Sequence, residues 1–239
     1  MLFIIDYIKK YGVNDMYEKY NWRFDKEVVK VFDEHVRNSV PLYELFHKEI
    51  VNMSVYFSQL NTNIVDIGTS TGVLLNNLYE INKSRNIKCT GIDIEEPMIN
   101  ECKNRYSNIN FEVCDALDYN YNNSSIITSM LALQFIKKSE RKELLNKIYN
   151  ELNEDGALFI VEKIKSENPD IHDIYNDMYY DFKRKTLSDE DILDKNVSLR
   201  GIMKPITMKE NMDNLKQAGF KKIDVFMKYN NFVGILAIK

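Results

Sequence analysis

The chain has 239 residues, 44% of them hydrophobic and 12% aromatic, with 8 Gly and 4 Pro; one α/β domain of this size buries a full core, and nothing in the composition marks disorder. A formal charge of −4, from 32 basic and 36 acidic residues mixed along the chain, argues against a protein that mainly grips phosphate backbones, which needs clustered cations. Cys89, Cys102 and Cys114 lack the close spacing of metal sites, and Asp6, Lys9 and Lys10 interrupt the apolar opening residues, so that no metal, signal peptide or membrane span is expected and the cytoplasm is the expected location.

From Ile4 to about Leu60 the apolar residues fall at helical spacing. Val28, Val29, Phe32 and Val36 form one stripe; Leu45, Phe46, Ile50 and Met53 form another, and Pro41 between them marks a break. His35 and His47 lie in these stripes and read as helix-surface residues. From Asn63 the pattern changes to a short apolar run, Ile64 to Ile67, then Gly68-Thr69-Ser70-Thr71-Gly72, then a helical pattern through Val73, Leu74, Leu75 and Leu78. A second strand, Ile87 to Asp93, leads to a helix opening at Pro97. A third strand runs Ile109 to Val113. A fourth, Ser125 to Leu131, leads past Gln134-Phe135 to a helix from Glu140 to Leu152. After a turn at Asn153-Glu154-Asp155-Gly156, a fifth strand runs Ala157 to Val161.

This alternation implies βαβ crossovers and a parallel sheet covered on both faces. It stops at Lys163: residues 163–206 read as a helical insertion over the open end of the sheet. A helix from Met208 to Ala218 and two strands, Lys222 to Met227 and Phe232 to Ile238, spaced as an antiparallel hairpin, complete the chain. The expected architecture is one domain over 1–239: a seven-stranded, mostly parallel Rossmann-like sheet with an antiparallel C-terminal hairpin, a helical cap over 1–60 and the insertion after strand five.

Three loops at the carboxyl ends of successive strands suit a nucleoside. Gly68 and Gly72 leave backbone that a ligand can approach. Asp93 stands about twenty residues beyond the glycine loop, where an acid accepts from ribose hydroxyls. In Cys114-Asp115-Ala116 a carboxylate can accept from an adenine amino group while the Ala116 amide faces a ring nitrogen. Turn geometry and helix capping also account for each of these residues taken singly.

With these residues in place, the chain resembles the carboxy-S-adenosylmethionine synthase family of the wobble-uridine tRNA modification pathway, a branch of the class I S-adenosylmethionine-dependent methyltransferases. The resemblance runs from Trp22 to Lys239. It is carried by Trp22-Arg23-Phe24-Asp25, Ser39-Val40-Pro41-Leu42-Tyr43, Gly68-Thr69-Ser70, Leu133-Gln134-Phe135, Ser139-Glu140-Arg141, Gly156-Ala157-Leu158, Glu162-Lys163, Asp181-Phe182-Lys183-Arg184, Ala218-Gly219-Phe220 and Asn231-Phe232. It implies S-adenosyl-L-methionine as cofactor, a homodimer, and a nucleoside pocket lined by Tyr43, Gly68, Thr69, Ser70, Asp93, Ile94, Asp115 and Ala116. It also implies an Asn at the end of the fourth strand and an Arg in the insertion that hold an added carboxylate. Here those positions carry Met130 and Asn196, and the loss of a bidentate cationic fork is not one Asn replaces well. Arg200, one helical turn further on, is a candidate to restore the charge.

Met130 makes the pocket more apolar, which suits a methyl sulfonium without an added carboxylate, so methyl transfer to a small-molecule acceptor is the first expectation. Carboxy-S-adenosylmethionine synthesis from prephenate is the alternative, and a non-catalytic S-adenosylmethionine-binding subunit a third. Tyr43, His172 and Tyr179 are the catalytic candidates; Tyr180, Arg184 and Arg200 are the substrate-binding ones. Tyr175, Met178, Tyr179 and Phe182 share a helical face that serves either as an acceptor lid or as a dimer or packing contact. Gly68 to Gly72 also spells a nucleophile elbow, with Ser70, Asp115 and His172 in triad order, but the helical start leaves no strands before it to build such a sheet. In a nicotinamide-binding loop, Ser70 would stand where a second glycine admits a pyrophosphate. Direct contact with nucleic acid or membrane is not expected.

Overall fold

The computed structural model describes residues 26–239. The stretch 4–25 of the helical cap and Trp22-Arg23-Phe24-Asp25 lie outside the described residues, as does the Val28 side chain. Helix α1 (Lys26–Ser39) and helix α2 (Tyr43–Phe57) are separated at Pro41, where the proline ends the first helix. Strand β1 (Asn63–Ile67) and α3 (Val73–Asn82) follow, then β2 (Lys88–Asp93), α4 (Glu96–Arg105), β3 (Asn110–Val113), β4 (Ser124–Met130), α5 (Lys138–Glu151) and β5 (Leu152–Lys163). The insertion forms α6 (Pro169–Lys183) and α7 (Asp189–Arg200), after which come α8 (Met208–Ala218), β6 (Lys222–Tyr229) and β7 (Phe232–Ile238).

The seven strands order as β3-β2-β1-β4-β5-β7-β6. β1 pairs in parallel with β2 and β4, whereas β7 runs antiparallel to both β5 and β6. The order reverses beside β1, which opens a crevice at the carboxyl ends of β1, β2 and β4, the place where open α/β sheets receive ligands. The expected start of β5 at Ala157 is corrected. β5 already starts at Leu152, and residues 153–156 form a bend inside its range: the β4 ladder passes from the pair of Ser124 with Leu152 to the pair of Ile126 with Ala157, and Asp155 takes the left-handed φ of 57° between them.

Both sheet faces are covered. On one, Leu144, Leu145 and Ile148 of α5 pack with Leu215 of α8 and with Phe220 over Leu158 and Ile160. On the other, Phe46 and Ile50 of α2, Leu75 and Leu78 of α3 and Ile99 of α4 pack over Ile64 and Phe159. Each such side chain stabilises the fold by roughly 1.5–3 kcal/mol on burial. The insertion is fixed at its exit by a capping box: Thr207 Oγ1 accepts from the Glu210 amide at 3.1 Å, and Glu210 Oε2 accepts from the Thr207 amide at 2.7 Å. Thr207→Ala is expected to lower stability by about 1 kcal/mol in urea unfolding. An unchanged midpoint would mean that the insertion, not this cap, sets the start of α8.

Among the described residues, no helix is long and apolar enough to cross a membrane, and no group of three or more His, Cys, Asp or Glu is placed to hold a metal ion.

Candidate functional site

The crevice is a cavity of about 600 Å³. Its floor is the strand ends; its cover comes from α1, α2, α6 and α7. Of the residues singled out from sequence, it brings together Tyr43, Gly68, Thr69, Ser70, Asp93, Ile94, Asp115, Ala116, Met130 and Tyr179.

The loop after β1 is held from inside the protein. The Gly68 and Thr69 amides donate to the Ile92 carbonyl at 2.8 and 3.0 Å, and the Ser70 amide donates to Asp93 Oδ2 at 3.0 Å. Gly68 has φ +66°, and a Cβ there would lie 2.5 Å from the Ala132 side chain. This glycine admits the loop after β4 as well as exposing its backbone to the crevice. Gly72, at φ +78°, starts α3 and is not part of the cavity wall; a Cβ there would press on Phe111, Tyr106 and Cys102 at 3.1–3.2 Å. Its constraint is packing against α4 and β3.

Asp93 ends β2 with both carboxylate oxygens engaged once, Oδ2 by the Ser70 amide and Oδ1 by the Glu95 amide at 3.0 Å. Burial raises its pKa, and these amides oppose that rise. Each oxygen keeps an acceptor site for a hydroxyl, so the carboxylate fits a ribose diol. Asp115 Oδ1 accepts from the Leu117 amide at 2.9 Å, which fixes the turn after β3, while Ala116 is buried at the wall with its carbonyl accepting from the Tyr121 hydroxyl at 2.8 Å. Asp66, absent from the sequence candidates, is buried at the floor, accepts from the Thr128 hydroxyl at 2.6 Å, and is pushed up to about 6 by burial.

The cover is tied to the loop through Asp33 of α1. Thr71 Oγ1 donates to it at 2.5 Å and Arg105 Nη1 at 2.6 Å. Burial works to raise the Asp33 pKa, and these two donors hold it below its ordinary value. His47 is buried on the cavity wall beside the Tyr43 ring, at 4.4 Å between centroids, and burial depresses it to about 4; His35 also lines the cavity. Neither is the solvated helix-surface residue that the stripes suggest. Sequence spacing held a signal for His47, which directly follows the fully buried Phe46 and stands three residues before Ile50.

Tyr43 and Tyr179 both have pKa values raised by burial and stay protonated at neutral pH. Tyr179 donates to the Ser39 carbonyl at 2.9 Å, tying α6 to α1. Other candidates fall outside the cavity. His172 sits in the first turn of α6, away from the wall, which leaves the expected general base without a geometric basis and the triad with Ser70 unformed; Ser70 Oγ instead approaches Met98 Sδ at 3.8 Å. Arg184 is half exposed and paired with Asp181 at 2.9 Å and Asp189 at 2.7 Å. Tyr180 lies outside the wall and accepts at 3.1 Å from the side-chain amide of Asn196, which does line it. Arg200 is exposed and is not part of the wall, so it does not replace the missing arginine fork.

Positive charge reaches the cavity by another route. Lys163 at the end of β5, Lys183 at the end of α6 and Lys195 of α7 all line it. Lys183 is only 2% exposed.

The geometry agrees with what the chain is similar to. The Methyltransferase domain family matches residues 64–156. Carboxy-S-adenosyl-L-methionine synthase of Staphylococcus epidermidis is 40% identical over 227 residues, covering 93% of this chain and 99% of the relative. The enzyme of that name from Nautilia profundicola is 36% identical over 91% of this chain and 94% of the relative. Among solved structures, human N-acetylserotonin methyltransferase in complex with SAM superposes with a TM-score of 0.62 at 15% identity, covering 98% of this chain and 62% of that one. Phosphoethanolamine N-methyltransferase 2 of Haemonchus contortus superposes with a TM-score of 0.63 at 14% identity, covering 90% and 57%. These distant structures establish the fold alone, whereas the two sequence relatives extend across the cap and the insertion as well as the sheet. The chain thus belongs to the carboxy-S-adenosyl-L-methionine synthase family, and is an S-adenosylmethionine-using enzyme with the class I methyltransferase fold.

Proposed function

We propose that this protein makes carboxy-S-adenosyl-L-methionine, with prephenate as carboxyl donor. The observation that carries this reading is the extent of the relationship: 40% identity over 93% of the chain includes α1, α2, α6 and α7, the elements that build the outer wall of the cavity. A shared sheet would support only a shared cofactor. A shared wall supports a shared second substrate.

When bound, S-adenosyl-L-methionine supplies a sulfonium-activated methyl carbon, on which the carboxyl carbon released by prephenate would replace one proton, the donor aromatising to phenylpyruvate and its departing hydroxide taking that proton as water. The residues around it bind and exclude water. Asp93 accepts from the ribose hydroxyls, Asp115 and the Ala116 amide address the adenine edge, and Met130 presents an apolar surface to the sulfonium end. Tyr43 and Tyr179, protonated because buried, act as donors and as part of the cover rather than as bases. Methyl transfer to a small-molecule acceptor, the expectation drawn from Met130 and Asn196, loses ground because the lysines give the cavity the positive charge that Asn196 does not. We propose further that the chain acts as a single domain and as a homodimer in the cytoplasm, and that it does not itself contact nucleic acid.

The test is direct. Purified protein is incubated with S-adenosyl-L-methionine and prephenate, and the nucleoside products are resolved by mass spectrometry. A prephenate-dependent sulfonium compound heavier by one carboxyl group is expected. Accumulation of S-adenosylhomocysteine with an added acceptor, and no carboxylated product, would overturn the reading in favour of methyl transfer.

A further inference from the structure

Two lysine ammonium groups converge on one aromatic ring at the wall of the cavity. Lys163 Nζ lies 4.1 Å from the centroid of the Tyr179 ring, and Lys183 Nζ lies 5.1 Å from it. They come from different elements, the end of β5 and the end of α6, so their approach is built by the fold and not by local sequence. Tyr179 is itself 8% exposed and fixed by its hydrogen bond to the Ser39 carbonyl. The ring is therefore a fixed platform that both cations approach.

Among the described residues, neither ammonium has a hydrogen-bond or ion-pair partner. Like charges held this close repel, and each loses most of its hydration. A cation–π contact returns about 0.5–2 kcal/mol, less than burying an uncompensated ammonium costs. Stability alone would favour a leucine or methionine at Lys183, whose side chain is among the largest fully buried in the described residues. A pair of like charges facing a cavity, one of them only 2% exposed, is explained when an anion enters to neutralise both.

We propose that Lys163 and Lys183 form an anion clamp that seats a carboxylate of the second substrate beside the Tyr179 ring, on the positive charge the two ammonium groups bring to the cavity wall. The proposal rests on the reading of the protein as a carboxy-S-adenosyl-L-methionine synthase for the identity of the anion, but not for the existence of the clamp. The clamp is cationic without being bidentate, so it attracts a carboxylate as two point charges and tolerates a range of carboxylate orientations.

The clamp titrates. Burial, and for Lys163 also the neighbouring Lys183, lowers each lysine to about 8. The other ionisable groups on the cavity wall are His35 of α1, Tyr43 and His47 of α2, Tyr179 of α6, Lys195 of α7, Lys137 and Glu140 at the start of α5, Asp66, Asp93 and Glu95 at and after the ends of β1 and β2, and Cys114 and Asp115 after β3. His47 is neutral well below this range, at about 4, and Asp66, at about 6, is already ionised. Prephenate affinity is thus expected to fall as pH rises past about 8, because the empty clamp loses its protons.

The experiment is calorimetric titration of prephenate into the full chain saturated with S-adenosylhomocysteine, alongside the turnover assay. Lys163→Gln and Lys183→Met are each expected to weaken prephenate binding by about tenfold or more, with S-adenosylhomocysteine binding within about threefold of the original. Lys183→Arg is expected to restore affinity and to flatten its decline above about pH 8, because arginine keeps its charge. Should Lys183→Met fail to fold, Lys163→Gln and Lys183→Arg carry the test. Unchanged prephenate affinity in Lys163→Gln, or no prephenate binding by the original protein, would overturn the clamp. Binding that depends on both lysines, without any carboxylated product, would sustain the clamp and overturn the proposed reaction.

Discussion

Asp93→Ala is expected to weaken S-adenosylmethionine binding about a hundredfold or more while leaving the fold intact. The carboxylate does two jobs. It accepts the Ser70 and Glu95 amides at 3.0 Å each, fixing the loop after β1 against the start of α4, and it keeps acceptor sites for a diol. A hydrogen bond to a charged group contributes about 1.5–3 kcal/mol, so losing the pair to the ribose hydroxyls alone is worth a hundredfold or more. Fold stability changes less, because relief of the buried charge offsets the loss of an acceptor for the Ser70 and Glu95 amides. Asp93→Asn keeps one acceptor oxygen and is expected to fall between the two. Calorimetry with S-adenosylmethionine and S-adenosylhomocysteine measures both. Affinities within about threefold of the original for Asp93→Ala would mean that the nucleoside does not lie across β2, and the site assignment would fall with it.

Asp93 was legible because the signal is local: a short apolar run, an acid at its end, and a helix opening with Pro97. The same grammar located all seven strands and the break at Pro41. What local pattern did not carry was the reason for each glycine. Gly68 answers to Ala132 and Gly72 to Phe111, Tyr106 and Cys102, partners that only the folded sheet brings near. The bend at 153–156 is another case, since the sequence shows it but not that Leu152 before it already pairs with Ser124 of β4. The insertion was hardest. In Asp181-Phe182-Lys183-Arg184 the sequence pointed to Arg184, the stronger anion ligand, yet consecutive helix positions differ by about 100° around the axis. Arg184 faces solvent and its acids; Lys183, four residues after Tyr179, shares that ring's face and turns inward. That spacing was the available signal. A lysine in a polar run reads as solvated until the tertiary fold buries it.

Glu162, one residue before the clamp lysine, should set the pH dependence of stability. It is fully enclosed, its Oε1 has no hydrogen-bond partner, and burial pushes its pKa up to about 8 against the opposing pull of Arg141 and the Gln134 and Leu133 amides. Its folded-state pKa lies above the ordinary 4.5, so the folded chain holds this proton more tightly than the unfolded one. The stability this contributes is complete below about pH 4.5 and is lost as pH rises through about 8. The span corresponds to a loss on the order of 5 kcal/mol. Asp66 loses stability in the same direction but over a lower window, ending near its pKa of about 6. The clamp lysines act with the opposite sign above about 8. Glu162→Gln removes one of these contributions and leaves the rest in both proteins, so the difference between them isolates it. The amide has no partner for its extra donor, which costs about 1–3 kcal/mol at any pH. The variant is therefore expected to be less stable than the original near pH 5 and more stable near pH 9, with the two curves crossing between. Urea unfolding at both pH values measures this. Parallel curves would show that Glu162 takes up no proton on folding, and that Arg141, already donating to the carbonyls of Ile136, Gln134 and Lys204, compensates it fully in the folded chain.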